Sequence, residues 1–274
     1  MPEGPEIKRA ADTLSTALVG KNALLVEFAF PHLHAHGHDL SGRKILSVKP
    51  RGKAILTGFA GGQSIYSHNQ LYGKWNVLRR GEAPHPTKQM RLAIHTNTLV
   101  AVLYSASSIE VIQTCDVENH PYVQKLGVEL LDPSTTHEMV LAQVNAPQFS
   151  RKSLAALLLD QGFLAGVGNY LRSEILFVAR IPPIVRMADL NQSQRSALAA
   201  AALDVTRQSY KTRGVTNDLA LAQRLKERGW RFGQYRHWVF DRDGERCHAC
   251  QETIQRQDMG GRGLYWCSRC QAGR

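Results

Sequence analysis

The residues with the most chemical promise lie at the very start of the chain. Pro2 follows the initiator methionine, and methionine is commonly trimmed before a small residue, which exposes a secondary amine. Such an amine is a nucleophile toward a carbon such as C1′ of a sugar, and it forms an iminium ion with a ring-opened sugar. An α-amino group titrates near about pH 8, so a useful fraction is neutral at physiological pH. The positive end of a following helix would lower that value further. Glu3 and Glu6 are three residues apart and share one side of the entry to that helix. Either can serve as a general acid or base beside the amine. The plainer reading is local: acids and proline favour a first helical turn.

Four cysteines fall late in the chain as Cys247-x2-Cys250-x16-Cys267-x2-Cys270. This spacing matches the pattern in which two C-x2-C pairs bind one tetrahedral zinc, with a short hairpin between them. Four thiolates leave no open position, so the zinc expected here is structural. Two disulfides are the alternative, but nothing else points to an oxidising compartment. Cys115 stands alone and reads as a small buried residue.

Three further segments can bind a ligand. Arg51-Gly52-Lys53 precedes an apolar strand; the glycine lets backbone approach a ligand while the lysine meets a phosphate, or the segment is simply a basic turn. Gln161 to Tyr170 places Gly166-Val167-Gly168 and Asn169 between two helical runs, a tight helix–turn–helix whose N–H groups can hold a phosphate. It lacks the third glycine and the preceding strand of a dinucleotide site. His68-Asn69-Gln70-Leu71-Tyr72-Gly73 reads as a loop between strands. Its tip either enters a base stack or folds back on the core through Leu71 and Tyr72. Alternation of His32, His34, His36 and His38 would put four imidazoles on one face of an extended segment; a solvated loop is favoured over a metal site.

These residues need elements to hold them. Ile7, Ala10, Ala11, Leu14 and Leu18 repeat at helical spacing, with Pro5 in the first turn and Gly20 at the stop. Short strands follow between Asn22 and Ser108: Leu24 to Phe30, Ala54 to Phe59, Ser64 to His68, Lys74 to Leu78, Met90 to His95 and Leu99 to Ser105. Gly61-Gly62 and Thr96-Asn97 mark turns. So many short strands predict a β-sandwich or barrel. Helical patterns come next, at His137 to Val144, Ser153 to Gln161, Asn169 to Ala179 and Gln192 to Arg207, then a basic stretch and the cysteine module. The expected organisation is an α+β multidomain chain. Residues 1–118 form an N-terminal helix plus β-sandwich, 119–134 a linker, 135–234 a helical domain and 235–274 a four-cysteine hairpin.

Composition agrees with an ordinary globular protein: 43% hydrophobic and 21% charged over 274 residues. No apolar run approaches the roughly 20 residues of a membrane span, and the first residues lack the apolar core of a signal peptide. The formal charge is +11 and the pI about 9.6, which fits a polyanion partner or merely a basic, soluble surface. Between Val205 and Arg274 there are 14 Lys/Arg against 7 Asp/Glu, so the excess is greatest late in the chain.

Taken in order, Met1-Pro2-Glu3-Gly4-Pro5-Glu6, Arg51-Gly52-Lys53, Gln70-Leu71-Tyr72, Leu164 to Tyr170 and the cysteine module resemble the formamidopyrimidine-DNA glycosylase and endonuclease VIII family, from Pro2 to Cys270. Gly4, where the oxidised-purine branch usually has leucine, Ser67 to Gly73, Tyr104 to Ser107 and Tyr265-Trp266-Cys267 look closest to the bacterial endonuclease VIII branch. The resemblance implies a helix-two-turn-helix in the helical domain and a zinc-finger hairpin after it. It implies a bifunctional DNA glycosylase and AP lyase of base excision repair acting on oxidised bases, pyrimidines foremost, by a Pro2 Schiff base and β,δ-elimination. Pro2 would be the nucleophile, Glu3 the general acid/base and Glu6 a supporting residue. Lys53 would meet the phosphate and help polarise the reacting sugar. Gln70, Leu71 and Tyr72 would fill the gap left by the flipped base. Asn169 with the Gly166–Gly168 turn would hold backbone phosphates, and Arg262 would grip the phosphate near the lesion. The implied partner is double-stranded DNA with oxidised bases or abasic sites, bound by a monomer in the bacterial cytoplasm, at the nucleoid. The alternatives are an oxidised-purine glycosylase and a non-catalytic damaged-DNA-binding protein. The segment from Arg213 to Arg236 looks longer than in familiar members.

Overall fold

The 3.6-residue repeat near the start becomes helix α1 (Gly4–Leu18). It buries Ile7, Ala11, Leu14 and Leu18 to 1% exposure or less, the isoleucine and leucines each contributing roughly 1.5–3 kcal/mol and the alanine methyl about 0.8 kcal/mol. Gly20, at φ +84°, turns the chain out of the helix. In this computed structural model the described residues are 2–82, 85 and 87–272, so Met1 lies outside them.

The chain divides into two compact units. The first comprises Pro2 and Glu6–Lys125; the second comprises Glu3–Pro5 and everything from Leu126 onward. The first unit is the expected sandwich. Its strands are β1 (Leu25–Phe28), β2 (Ile45–Arg51), β3 (Ala54–Phe59), β4 (Gln63–His68), β5 (Lys74–Arg79), β6 (Met90–His95), β7 (Leu99–Tyr104) and β8 (Ser108–Gln113), with a short helix α2 (His34–Leu40) after β1. They form two antiparallel four-stranded sheets, β1-β6-β7-β5 and β2-β3-β4-β8. Residues of both sheets and α1 share one apolar core, including Leu14, Ile55, Phe59, Ile65, Ile94 and Leu103. β3 is buried on both faces. Its alternate residues Ala54 and Leu56 join Tyr66 in a smaller cluster covered by Val117 and Tyr122.

The second unit holds β9 (Val128–Glu129), α3 (His137–Asn145), α4 (Leu154–Leu157), β10 (Leu164–Ala165), α5 (Asn169–Val178), α6 (Gln192–Lys211), α7 (Leu219–Glu227), α8 (Phe232–Tyr235), β11 (Ile254–Met259) and β12 (Arg262–Cys267). Thr136 caps α3 and an Asn191–Gln194 capping box starts α6. β11 and β12 pair as a hairpin whose two-residue tip, Gly260-Gly261, has both φ positive, as a type I′ turn requires. Among the described residues no helix is long and apolar enough to cross a membrane.

Four expectations are corrected. The histidine tract is helical, a 3₁₀ turn followed by α2, so every second imidazole rotates about 200° and the four do not share a face. The helix expected over Ser153 to Gln161 stops after Leu157 because Asp160 and Gln161 turn their side chains onto the backbone of Gly162 and Gly166. A strand does precede Gly166, though of two residues only, pairing in parallel with β9. Cys115, expected to be buried, is exposed, and the basic stretch, within the expected helical domain, holds α7 and the start of α8.

Candidate active site

Helix α5 begins at Asn169 with Gly168 as its N-cap, a residue with no side chain to satisfy the first N–H groups. Glu3 supplies what the glycine lacks. Its Oε2 accepts from Gly168 N at 2.8 Å and Leu171 N at 3.2 Å, and its Oε1 accepts from Tyr170 N at 2.8 Å. Glu3 is 3% exposed. Three backbone donors and the positive end of α5 thus face one buried carboxylate. Space for it exists only because residue 168 has no Cβ: one built there would lie 2.4 Å from the Glu3 carboxyl carbon. The approach of residues 3–5 is equally close on the other side. Gly4 N donates to Gly166 O at 2.8 Å, a Cβ on Gly4 would sit 3.2 Å from Gly166 Cα, and Gly166 has φ +87°. The absence of a side chain at residue 4, noted in the sequence, is what this contact uses.

The N–H groups expected to hold a phosphate are therefore engaged within the protein. Gly168 N serves Glu3, and Gly166 N donates to Gln161 Oε1 at 3.0 Å. Asn169 Nδ2 donates to Gly263 O at 2.8 Å, while its Oδ1 accepts from Arg172. Glu6 accepts from Arg9 one turn along α1 at 2.7 Å, and Pro2 is half-buried.

Sequence reasoning missed the residues that brace this helix. Arg172, Ser173 and Glu174 are consecutive and each 0% exposed. Arg172 donates to the carbonyls of Ala155, Met259 and Arg262 and to Asn169 Oδ1, all within 2.8–3.0 Å. Burial and then the charge of Arg262 push its pKa down to about 10, which leaves it protonated. Ser173 Oγ accepts from Tyr265 N, and Glu174 accepts from the N–H groups of Trp238, Val239 and Phe240 and from the Thr216 hydroxyl. The helix is thereby tied to the hairpin tip, to β12 and to the loop that leads into the cysteines. Three polar residues in a row defeat a periodicity search; the only signal available was that they interrupt an otherwise apolar helical run.

The four cysteines converge on one point, with all ligand atoms within 4.8 Å of one another. The Cys247–Cys270 and Cys250–Cys267 sulfurs are 3.9 and 3.4 Å apart, too far for disulfides at about 2.05 Å. A tetrahedron with Zn–S near about 2.3 Å has edges of about 3.8 Å, so the set fits zinc. Burial and the neighbouring sulfurs push Cys267 up to about 11 and Cys270 higher still, a crowding that a dication relieves. Among the described residues this is the one group of three or more such ligands; the histidine tract forms none.

In the first unit, Arg51 and Lys53 flank Gly52 in the β2–β3 turn. Lys53 is 6% exposed, and Arg51 pairs with Glu118 through both guanidinium nitrogens. Register sets Ala54 opposite His68, so the turn at Lys53 and the loop after His68 leave the sheet at the same end. That loop does not fold back: Leu71 and Tyr72 are 53% and 78% exposed. Gln70 has φ +51°; its N–H donates to His68 Nδ1 at 2.9 Å and its Oε1 accepts from Ser107. Burial, then the charge of Lys53, hold His68 below its usual pKa. Arg262, first residue of β12, is exposed beside the hairpin tip.

Two measurements test this geometry. Gly168→Ala should destabilise the chain by about 1–3 kcal/mol in urea unfolding, since the methyl displaces the Glu3 carboxylate; an unchanged midpoint would contradict the contact. A histidine whose folded pKa lies below its unfolded value near 6.5 binds its proton more readily when unfolded, so its contribution to stability is complete above that pH and is lost as pH falls through it. His68→Asn keeps an acceptor for Gln70 N–H without titrating. Wild type should therefore lose more melting temperature between pH 7 and pH 5 than His68→Asn, and equal losses would rule the effect out.

Known proteins agree with this architecture. A family model described as the formamidopyrimidine-DNA glycosylase N-terminal domain matches residues 1–106, and one described as the formamidopyrimidine-DNA glycosylase H2TH domain matches residues 126–219. The chain is 44% identical to endonuclease 8 of Shigella sonnei over 271 residues, covering 99% of this chain and 100% of that protein, and 43% identical to endonuclease 8 of Salmonella arizonae over the same span. A crystal structure of Lactococcus lactis Fpg (MutM) with DNA containing N7-benzyl-Fapy-dG superposes with a TM-score of 0.82 at 22% identity, covering 98% of this chain and 99% of that one. Other complexes of that protein, with DNA containing an oxidised pyrimidine or an abasic site, score 0.81. With a glycine-capped helix that takes Glu3, a β-sandwich, a helix-two-turn-helix unit and a four-cysteine hairpin, the chain belongs to the formamidopyrimidine-DNA glycosylase and endonuclease 8 family of DNA glycosylase/AP lyases.

Proposed function

We propose that this enzyme excises oxidised bases, pyrimidines foremost, from duplex DNA and then cleaves the strand through a Schiff base on Pro2. The observation that carries the reading is the clamp on Glu3. Three backbone N–H groups donate to its two carboxyl oxygens, an arrangement that favours the ionised form and suits the side chain to accept a proton. Its first act is to take the proton that the Pro2 nitrogen loses on attacking C1′, while the damaged base leaves with the electron pair of its bond to C1′ and takes a proton from water. Its second is to deliver that proton to the ring oxygen, which opens the sugar and leaves an iminium between C1′ and the Pro2 nitrogen. The cationic nitrogen acidifies C2′–H; loss of that proton expels the 3′ phosphate, and a second elimination expels the 5′ phosphate.

The remaining residues act on binding. Lys53 meets the phosphate of the damaged nucleotide, and Glu6 supports the start of α1. Gln70, Leu71 and Tyr72 are wedged into the stack vacated by the flipped base, whose extrusion costs a few kcal/mol and least at a damaged pair. Asn169, the first residue of α5 after the Gly166–Gly168 turn, and Arg262 contact backbone phosphates. Zinc in the Cys247, Cys250, Cys267 and Cys270 set is structural and holds the hairpin that carries Arg262. The oxidised-purine reading draws on the Fapy-containing DNA of the Lactococcus relative, whereas the relatives at 43–44% identity are endonuclease 8 proteins.

Borohydride trapping decides the chemistry. Tag-free protein, shown by mass spectrometry to start at Pro2, is reacted with duplexes containing thymine glycol, 8-oxoguanine or an abasic site. An adduct on Pro2, formed faster with thymine glycol than with 8-oxoguanine, is expected; binding without an adduct on any duplex would leave a non-catalytic damage binder. Glu3→Gln should slow base excision by about 10²–10⁴-fold while still binding an abasic analogue. Metal analysis should find one zinc per chain, lost in Cys250→Ser. Chelation should lower the melting temperature and DNA affinity together, and a chain that stays folded and bound without metal would refute the structural role.

A further inference from the structure

Lys53 lies in a two-residue turn, with Arg51 and Ala54 paired on either side. Its backbone N–H is therefore outside the ladder, yet the residue is buried. A buried N–H needs a partner. The partner is the hydroxyl of Tyr122, which accepts from Lys53 N at 2.8 Å. Tyr122 is 69 residues further along the chain and belongs to no strand or helix.

Its own position is tightly specified. The ring meets His68 edge-on with centroids 5.4 Å apart and tilts against Tyr66 at 5.8 Å. Tyr122 N donates to His120 Nδ1 at 3.2 Å. His120 in turn stacks on Tyr66 at 4.3 Å, with its Nε2 3.3 Å from Glu110 Oε2. Residues of β4 and β8 thus aim one phenol oxygen at one peptide N–H. We infer that Tyr122 is a positioning residue for Lys53: it fixes the turn from which the ammonium reaches the phosphate. The inference rests on the role given to Lys53 above.

The test is a double-mutant cycle. Tyr122→Phe keeps the ring and removes the acceptor; Lys53→Gln removes the ammonium. Both variants and their combination are assayed for single-turnover excision of thymine glycol and for affinity to a duplex with a tetrahydrofuran abasic analogue. Tyr122→Phe should slow excision about tenfold and weaken binding about threefold in the wild-type background, and cost nothing further in the Lys53→Gln background. A purely structural loss would cost the same factor in both. Equal losses in the two backgrounds, or wild-type behaviour of Tyr122→Phe, would overturn the inference. Lys53→Gln at the wild-type rate and affinity would instead remove Lys53 from the reaction, a failure visible without any Tyr122 variant. Should Tyr122→Phe not fold, 3-fluorotyrosine at position 122 keeps the shape and weakens the acceptor, and the same coupling is expected at smaller size.

Discussion

The N-terminus of α5 takes an anionic partner from residue 3. Helix N-termini are ready sites for anions because several N–H groups point the same way with no partner of their own. Here a protein carboxylate occupies that position, drawn in by a glycine N-cap that leaves room for it. Two consequences follow at once. Residue 3 acquires a defined place, and only one peptide separates that anchor from the Pro2 nitrogen. Charge-assisted hydrogen bonds are worth roughly 1.5–3 kcal/mol each, so the arrangement resists the loss of order that a chain terminus otherwise favours. A residue joined to a fixed neighbour samples fewer directions than one on an unanchored segment, so the clamp on Glu3 also restricts Pro2.

The same helix fixes the opposite side of the unit. Arg172 gathers carbonyls from the hairpin tip, and Glu174 gathers N–H groups from the loop before the cysteines. Apolar packing in this region is modest, a cluster around Phe177, Val239 and Ile254. Such a cluster resists separation but sets direction poorly. Hydrogen bonds to particular backbone groups set register, and here they fix the hairpin strand that begins at the exposed Arg262. The cost is burial of two charged groups. It is met by saturating them: burial drives the Glu174 pKa upward, while four donors oppose that shift.

What was legible in the sequence was whatever has a period or a spacing. The sandwich followed from alternation and turns, α1 from Ile7, Ala11, Leu14 and Leu18, and the cysteine cluster from two C-x2-C pairs. The pairing of Glu3 with α5 could be named only as a residue type near a helix, because its partner lies 165 residues away and is backbone. Arg172 and Glu174 were invisible for a related reason: polar residues inside a helix read as a solvated face unless their acceptors are known. The histidine tract misled in the opposite way. Its two-residue alternation is the period of a strand, but His34 to Leu40 is a helix whose Gly37 lies against Val26 O, where a Cβ would come within 2.6 Å. Close approach to β1 decided the conformation, and no periodicity encodes that.

Register carries the last step. β4 belongs to one sheet and β5 to the other, so the loop from Asn69 to Gly73 crosses between them. It departs beside Lys53 because Ala54 pairs with His68. A slip of one residue between β3 and β4 would reverse the faces of the strand and separate the two. Such a slip is opposed from both sides, since β3 buries Ile55 and Phe59 in the main core and Ala54 and Leu56 against Tyr66. A strand half exposed to water could shift more cheaply than one buried on both faces. The double burial of β3 therefore does more than stabilise the sandwich. It holds Lys53 and the loop that carries Gln70, Leu71 and Tyr72 at one end of one sheet, so that a buried cation and an exposed loop tip are placed by the same two strands.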